Sequence, residues 1–128
     1  MRNFNFSIPY DIRIIELDHM KQVSHASILN IFQEARIQYL ENLGDFTELD
    51  IGDGCGLIQS EASLRILNPI DYGKNLEVGV KATDIRGASF TLSYFFDLDD
   101  TPMVEGETAL LSLDYSSGKP KRLSSQPP

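Results

Sequence analysis

Glu16, Asp18, His19 and His25 stand together in "ELDHMKQVSH", residues 16 to 25, where a strand-like pattern gives way to a helix-like one. An ionised carboxylate there can activate water as a general base or attack a carbonyl as a nucleophile. The first turn of a helix offers backbone N–H groups without intrahelical acceptors and a partial positive charge, which suits them to stabilise a developing oxyanion. Asp18 as the acid and the N–H of His25 as the donor would make a workable acyl-transfer pair. Two other readings use the same residues. Asp18 can simply cap or charge the turn, and two histidines with two carboxylates can hold a metal. The metal reading lacks an i, i+4 histidine pair, and the chain has only two His in all.

The flanking patterns say which elements carry these residues. From Phe4 to Ile14 apolar residues alternate (Phe4, Phe6, Ile8, Tyr10, Ile12, Ile14), which predicts a strand with one buried face. Extended to the acids, that strand puts Glu16 and Asp18 on one face. Pro9, lacking an N–H, places the strand at a sheet edge or makes it locally irregular near its start. After Val23 the period changes: Ile28, Phe32, Ala35, Tyr39 and Leu43 recur three or four apart, widened by Leu29, Ile31 and Leu40. Ser24 or Ser27 caps the start and Gly44 suits the end, giving a helix about 30 Å long at 1.5 Å per residue.

Residues 45 to 56 read as an Asp- and Gly-rich loop. Four strand-like segments follow: Leu57 to Leu67, Leu76 to Ile85, Ser89 to Leu98 and Met103 to Tyr115. The turn signals "NPIDYGKN", "IRGAS" and "LDDTP" separate them. The whole chain, 1–128, reads as one domain, with residues from about 117 to 128 a flexible tail. One strand, one long helix and four strands make an α+β plan, an antiparallel five-stranded sheet curled around the helix. Its long edges, and aromatic residues on both faces of residues 89 to 98 (Phe90, Tyr94 and Phe96 against Phe95), point to self-association.

Composition narrows the function classes. Apolar residues at 41% and charged ones at 23% belong to a soluble globular domain. Eleven basic against 19 acidic residues give a net charge of −8, which opposes binding to nucleic acid or anionic lipid. The single cysteine, Cys55 in "GDGCGLI", excludes an intrachain disulfide and has no basic neighbour in sequence to activate it. No apolar run approaches the roughly 20 residues of a membrane span, and the N-terminus lacks a signal-peptide core, so a cytoplasmic location is expected.

Residues 16 to 36, "ELDHMKQVSHASILNIFQEAR", resemble the signature of hotdog-fold acyl-CoA thioesterases of the 4-hydroxybenzoyl-CoA type. That signature runs D-x-D-x-x-G-x-V-x-[HN]-x-x-Y before an aromatic-rich helix. Asp18, Val23 and His25 match it without a gap, and "FQEAR" fits the helix. "NPIDYGKNLEV" resembles the family's Pro-x-x-x-Gly-Asp-x-Leu turn, and "EGETALLSLDYSSGKPKRL" its closing strand.

The resemblance implies that Asp18 is the essential carboxylate and that the His25 N–H lies near the thioester carbonyl. It implies a substrate wall at Ile28 and Phe32, and phosphate contacts from Arg86, Lys119 and Lys121. The substrate would be an acyl-CoA or acyl-carrier thioester, with no cofactor beyond the coenzyme A it carries. The active site would lie between the subunits of a homodimer, itself assembled into a homotetramer.

The chain departs from the signature at four points: Glu16 for Asp, Lys21 for Gly, Gln22 for His and Ile28 for Tyr. Losing Gly removes backbone freedom at a tight turn, and losing Tyr leaves a more apolar wall. Two alternatives remain open. A hydratase or dehydratase on the same fold would need the His25 ring to move protons, and a binder of acyl groups would bind without turnover.

Overall fold

The computed structural model describes residues 6–44 and 54–120, with the side chains of 43–44 and 84–86 outside that set. The elements are β1 (Phe6–Asp11), a short 3-10 turn (Ile14–Glu16), α1 (His25–Gly44), β2 (Cys55–Ile66), β3 (Asn75–Arg86), β4 (Ser89–Leu98), β5 (Thr101–Asp114) and β6 (Lys119–Pro120). The strands form one antiparallel sheet in the order β1-β3-β4-β5-β2, with β6 paired to β5. This is the hotdog arrangement expected from the sequence, with β6 as a sixth short strand that the five-strand expectation omits. Lys119 and Pro120, expected in the tail, pair with Asp114 and Leu113.

The turns follow their residue types. Asp99 and Asp100 both adopt positive φ (49° and 65°) between Leu98 and Thr101, as a two-residue primed hairpin requires and Asp tolerates. Gly87 (φ 59°) opens the turn between Arg86 and Ser89. Arg86 is thus the last residue of β3 rather than part of the turn.

Ser24 caps α1: its Oγ accepts the Ser27 N–H at 3.1 Å, and its carbonyl accepts the Ile28 N–H at 3.0 Å. Ile28, Ile31, Phe32, Ala35, Tyr39 and Leu40 are buried, while Leu29 faces outward. Phe32 stacks on Tyr94 with ring centroids 4.4 Å apart and meets Phe96 edge-on at 5.4 Å. Such ring pairs contribute about 0.5–1.5 kcal/mol beyond the area they bury. The helix comes this close because Gly106 of β5 has no side chain: a Cβ there would lie 2.4 Å from the Phe32 ring and 2.8 Å from the Ser63 carbonyl. Also at this seam, the buried Arg36 donates to the Tyr94 hydroxyl and to Gln59 Oε1, each at 3.2 Å.

Among the described residues β1 pairs only with β3 and so forms one edge of the sheet, one of the two outcomes Pro9 allowed. The strand ends earlier than the alternation predicts, and Phe4 lies outside the described residues. Ile8, Tyr10 and Ile12 are buried as expected, but Ile14 is 67% exposed. The chain leaves the sheet after Asp11 and turns through residues 14–16, so Glu16 and Asp18 do not share a strand face. β2 is the other edge, twelve residues long and paired on one side to β5.

Candidate functional site

A cavity of about 490 Å³ opens beside the N-terminus of α1. Its polar side is a single stretch of chain carrying Asp18, Gln22, Ser24 and His25. Its apolar side comes from Val23, Ala26 and Ile28, from Ile66, Pro69 and Ile70, and from Val104 of β5. Sequence-distant backbone bonds hold the two sides together: Val23 N–H donates to the Ile70 carbonyl at 2.9 Å, and Gln22 bridges to Asp71.

Asp18 has a divided role. Its Oδ1 accepts the N–H groups of Met20 (2.8 Å) and Gln22 (3.2 Å), which closes the turn. The backbone adds Asp18 N–H to the Gln22 carbonyl at 2.7 Å and Lys21 N–H to the Asp18 carbonyl at 3.0 Å. Its Oδ2 has no hydrogen bond among the described residues, and the side chain is exposed. One oxygen therefore builds the turn and leaves the other available. Asp18 can thus serve both the structural and the chemical reading.

At the helix start the Ser27 N–H is taken by Ser24 Oγ. The N–H groups of His25 and Ala26 have no acceptor among the described residues. Both residues line the cavity.

Glu16 anchors the approach to this turn, and it is only 5% exposed. Its carboxylate accepts the Tyr10 hydroxyl and, at 2.7 Å, the Arg13 N–H, while the Arg13 guanidinium sits at 3.5 Å. Its own carbonyl accepts the Ser24 N–H at 3.1 Å. One residue thus ties the end of β1 to the cap of α1 on either side of the Asp18 turn. Burial, and after it the Glu16 hydrogen bond, push the Tyr10 hydroxyl up from 10.0 to about 12. Lys21, where the signature has Gly, adopts φ 62°; the turn keeps its left-handed residue although the Gly is gone.

The expected site residues fall into three groups. Asp18, His25 and Ile28 line one cavity. Phe32 is fully buried in the helix–sheet seam and does not line it. Arg86 and Lys119 lie at the other end of the sheet. Arg86 pairs with Ser89, which faces Leu111, seven residues along β5 from Val104 and about 23 Å away at 3.3 Å per residue. Lys119 pairs with Asp114, farther still. Lys121 lies outside the described residues. Within one protomer Arg86 and Lys119 are not brought to the cavity.

Sequence reasoning missed Ile66, Pro69, Ile70 and Val104. The "NPIDYG" turn marked a place where the chain reverses, but its pairing with residues 22–23 left no trace in local pattern. His19 is exposed in the turn. Among the described residues, no group of three His, Cys, Asp or Glu is placed to hold a metal ion.

Residues 12–126 match the profile of the Thioesterase-like superfamily, and the chain belongs to that superfamily. A search of curated proteins finds no match. Among solved structures, a thioesterase of Thermus thermophilus complexed with coenzyme A and Zn superposes with a TM-score of 0.85 at 22% identity, covering 98% of this chain and 90% of its own. A hypothetical protein of Aquifex aeolicus gives 0.83 at 23%, covering 92% of each chain. A 1,4-dihydroxy-2-naphthoyl-CoA thioesterase from Synechocystis gives 0.82 at 18%, covering 92% of this chain and 88% of its own. Similarity at these identities establishes the shared fold. Among the described residues no helix is long and apolar enough to cross a membrane.

Proposed function

We propose that this protein hydrolyses an acyl thioester of coenzyme A, or of an acyl carrier, to a free acid and a thiol, as 4-hydroxybenzoyl-CoA-type thioesterases do. The observation that carries this reading is the pairing at one cavity of Asp18, whose Oδ2 is unbonded, with the open N–H groups of His25 and Ala26. The thioester carbonyl oxygen lies at the helix N-terminus, where the His25 N–H polarises it and then stabilises the oxyanion. Asp18 Oδ2 either takes a proton from the attacking water or attacks the carbonyl itself to give an anhydride that water opens. In both routes the C–S bond breaks, the sulfur leaves as thiolate and takes up a proton, and the acid is released. In the general-base route the proton that Asp18 takes from water passes to the departing thiolate; in the anhydride route the water that opens the anhydride supplies that proton.

The working unit in this reading is a homodimer, with a homotetramer built from it. The twelve-residue open edge of β2 supports self-association, since an unpaired edge invites a second copy. A second copy would also account for Arg86, Lys119 and Lys121: they serve coenzyme A phosphates across a subunit boundary if they serve them at all.

The test is thiol release from a panel of short, long and aromatic acyl-CoAs by the native chain and by Asp18→Asn. The substitution keeps the turn-forming oxygen and removes the charge, so turnover should fall about a hundredfold or more. Equal turnover by both proteins would leave Asp18 as a turn former only. Binding without turnover by the native chain would make the protein an acyl-group binder.

A further inference from the structure

From the bonds around Glu16, we infer that this residue positions Asp18 for the reaction: it sets the gap between the acid and the helix N–H groups without touching the substrate. The inference rests on the hydrolytic reading and adds a positioning residue to it.

The loop that carries Asp18 is closed in successive steps. Asp18 Oδ1 ties its tip through the N–H groups of Met20 and Gln22, and an antiparallel bridge between Leu17 and Val23 closes its stem. One residue further out on each side, the Ser24 N–H donates to the Glu16 carbonyl at 3.1 Å. Ser24 is also the cap of α1. The loop and the helix are therefore joined at Glu16 and Ser24, and the place of Asp18 relative to the His25 N–H is set through that junction.

The Glu16 side chain decides where the junction sits. It is buried, and it is not among the described residues that line the cavity. Its carboxylate takes the Tyr10 hydroxyl from β1 and the N–H of Arg13 from the start of the 3-10 turn. The Arg13 guanidinium closes the group, donating to the Tyr10 hydroxyl at 2.9 Å as well as lying 3.5 Å from the carboxylate. Tyr10 is itself buried and paired with Leu76 of β3. A continuous line of bonds thus runs from the sheet through Tyr10 and Glu16 to the cap of α1. All of these contacts lie inside one protomer, so they place Asp18 whatever a second subunit brings to the cavity.

Stability alone does not call for a carboxylate at this point. Burying a charge carries a desolvation cost that partners offset only with good geometry, and an apolar side chain would avoid it. A buried carboxylate with several donors contributes a single placement instead, because any slip leaves the charge and its donors unmatched. Rates respond steeply to placement: a shift on the order of 1 Å at a reacting group costs about a hundredfold.

The experiment measures kcat and KM for thiol release from the best acyl-CoA substrate, under conditions where unfolding curves show each protein folded. The native chain is compared with Glu16→Gln, Asp18→Asn and the double variant. Glu16→Gln should lower kcat about ten- to a hundredfold and leave KM nearly unchanged. In the Asp18→Asn background the same change should lower turnover little further, since a residue that acts through Asp18 then has nothing to position. Leu92→Ala, in the buried core of β4 and expected to destabilise at least as much, should keep a nearly native kcat. Tyr10→Phe removes one donor and keeps the carboxylate; it should lower kcat by a smaller factor with the same split, and it takes the place of Glu16→Gln should that variant not fold. A native kcat in Glu16→Gln, an equal effect with and without Asp18, or an equal loss in Leu92→Ala would overturn the inference alone. A native chain that releases no thiol, or one whose turnover survives Asp18→Asn, overturns the reading beneath it as well.

Discussion

The helix–sheet seam and the turn at residues 12–25 are built from different forces. At the seam, Phe32, Tyr94 and Phe96 pack ring on ring against a strand that Gly106 leaves bare, and position follows from volume. In the turn, Ile14, Ile15 and Met20 are exposed, and the backbone is held by a buried carboxylate, an Asp oxygen and one left-handed residue. The seam supplies stability and the turn supplies placement. The chemistry proposed for Asp18 would therefore depend on a turn held by hydrogen bonds rather than by side-chain packing, and substitutions in the two regions should be separable.

The largest effect on stability should come from the seam. Phe32→Ala removes both ring contacts and leaves a cavity, and should cost about 3–5 kcal/mol, read by denaturant unfolding with the m-value unchanged. The opposite pattern is expected of Asp18→Asn. It should lower turnover about a hundredfold or more and shift the unfolding midpoint little, because Asn retains the oxygen that accepts from Met20 and Gln22. If Asp18→Asn unfolded as easily as Phe32→Ala, the division between the regions would collapse.

Glu16 tests whether the turn is held by hydrogen bonds. Glu16→Gln keeps the size but weakens the acceptor for the Tyr10 hydroxyl and the Arg13 N–H, at about 1–3 kcal/mol for a buried polar group left short of a partner. Hydrogen exchange at the Ser24 N–H, which donates to the Glu16 carbonyl, should speed up more than exchange in β4. Uniform loss of protection would instead mean that Glu16 acts on the whole fold.

The seam and most of the sheet were legible because apolar periodicity reports packing. β4 was read at its observed bounds, and β2, β3 and β5 within two residues at each end. The turn was harder to read for the same reason. Alternation carried the first strand on to Ile14, since a period-two pattern registers apolar residues and cannot register a buried Glu16 drawing the Tyr10 hydroxyl and the Arg13 N–H out of line. The helical stripe grouped Ile28 with Phe32, although one lines the cavity and the other fills the seam. Which part of a stripe meets the sheet is settled by Gly106, far from the helix in sequence. Arg86 and Lys119 were likewise grouped with the site by resemblance, and topology puts them at the other end of β5.

Alkaline pH gives a smaller and more specific handle on the turn. Tyr10 titrates near 10 when unfolded and is pushed up to about 12 in the fold by burial and by Glu16. Its contribution is complete below pH 10, because both states then hold the proton. Between about pH 10 and 12 only the folded state holds it, so stability falls as pH rises through that window. Tyr10→Phe should unfold more easily at neutral pH and lack this part of the alkaline decline, as followed by unfolding midpoints from about pH 8 to 12.

Lys21 should show the smallest change, and its sign is informative. A non-glycine residue at φ 62° costs roughly 1–2 kcal/mol in the left-handed region, and Gly gives back part of that gain through its freer unfolded chain. Lys21→Gly should therefore stabilise by no more than about 1 kcal/mol. The compensation for keeping the strained residue should appear in binding. Lys21 carries its charge between Met20 and Gln22, whose N–H groups hold the catalytic candidate in place, and it is exposed on a molecule of net charge −8. If the ammonium draws an anionic thioester to the cavity, Lys21→Gly raises KM with kcat nearly unchanged, and added salt erases the difference between the two proteins. If KM is unchanged while stability rises, the lysine contributes only strain, and the turn would serve equally well with the glycine it lacks.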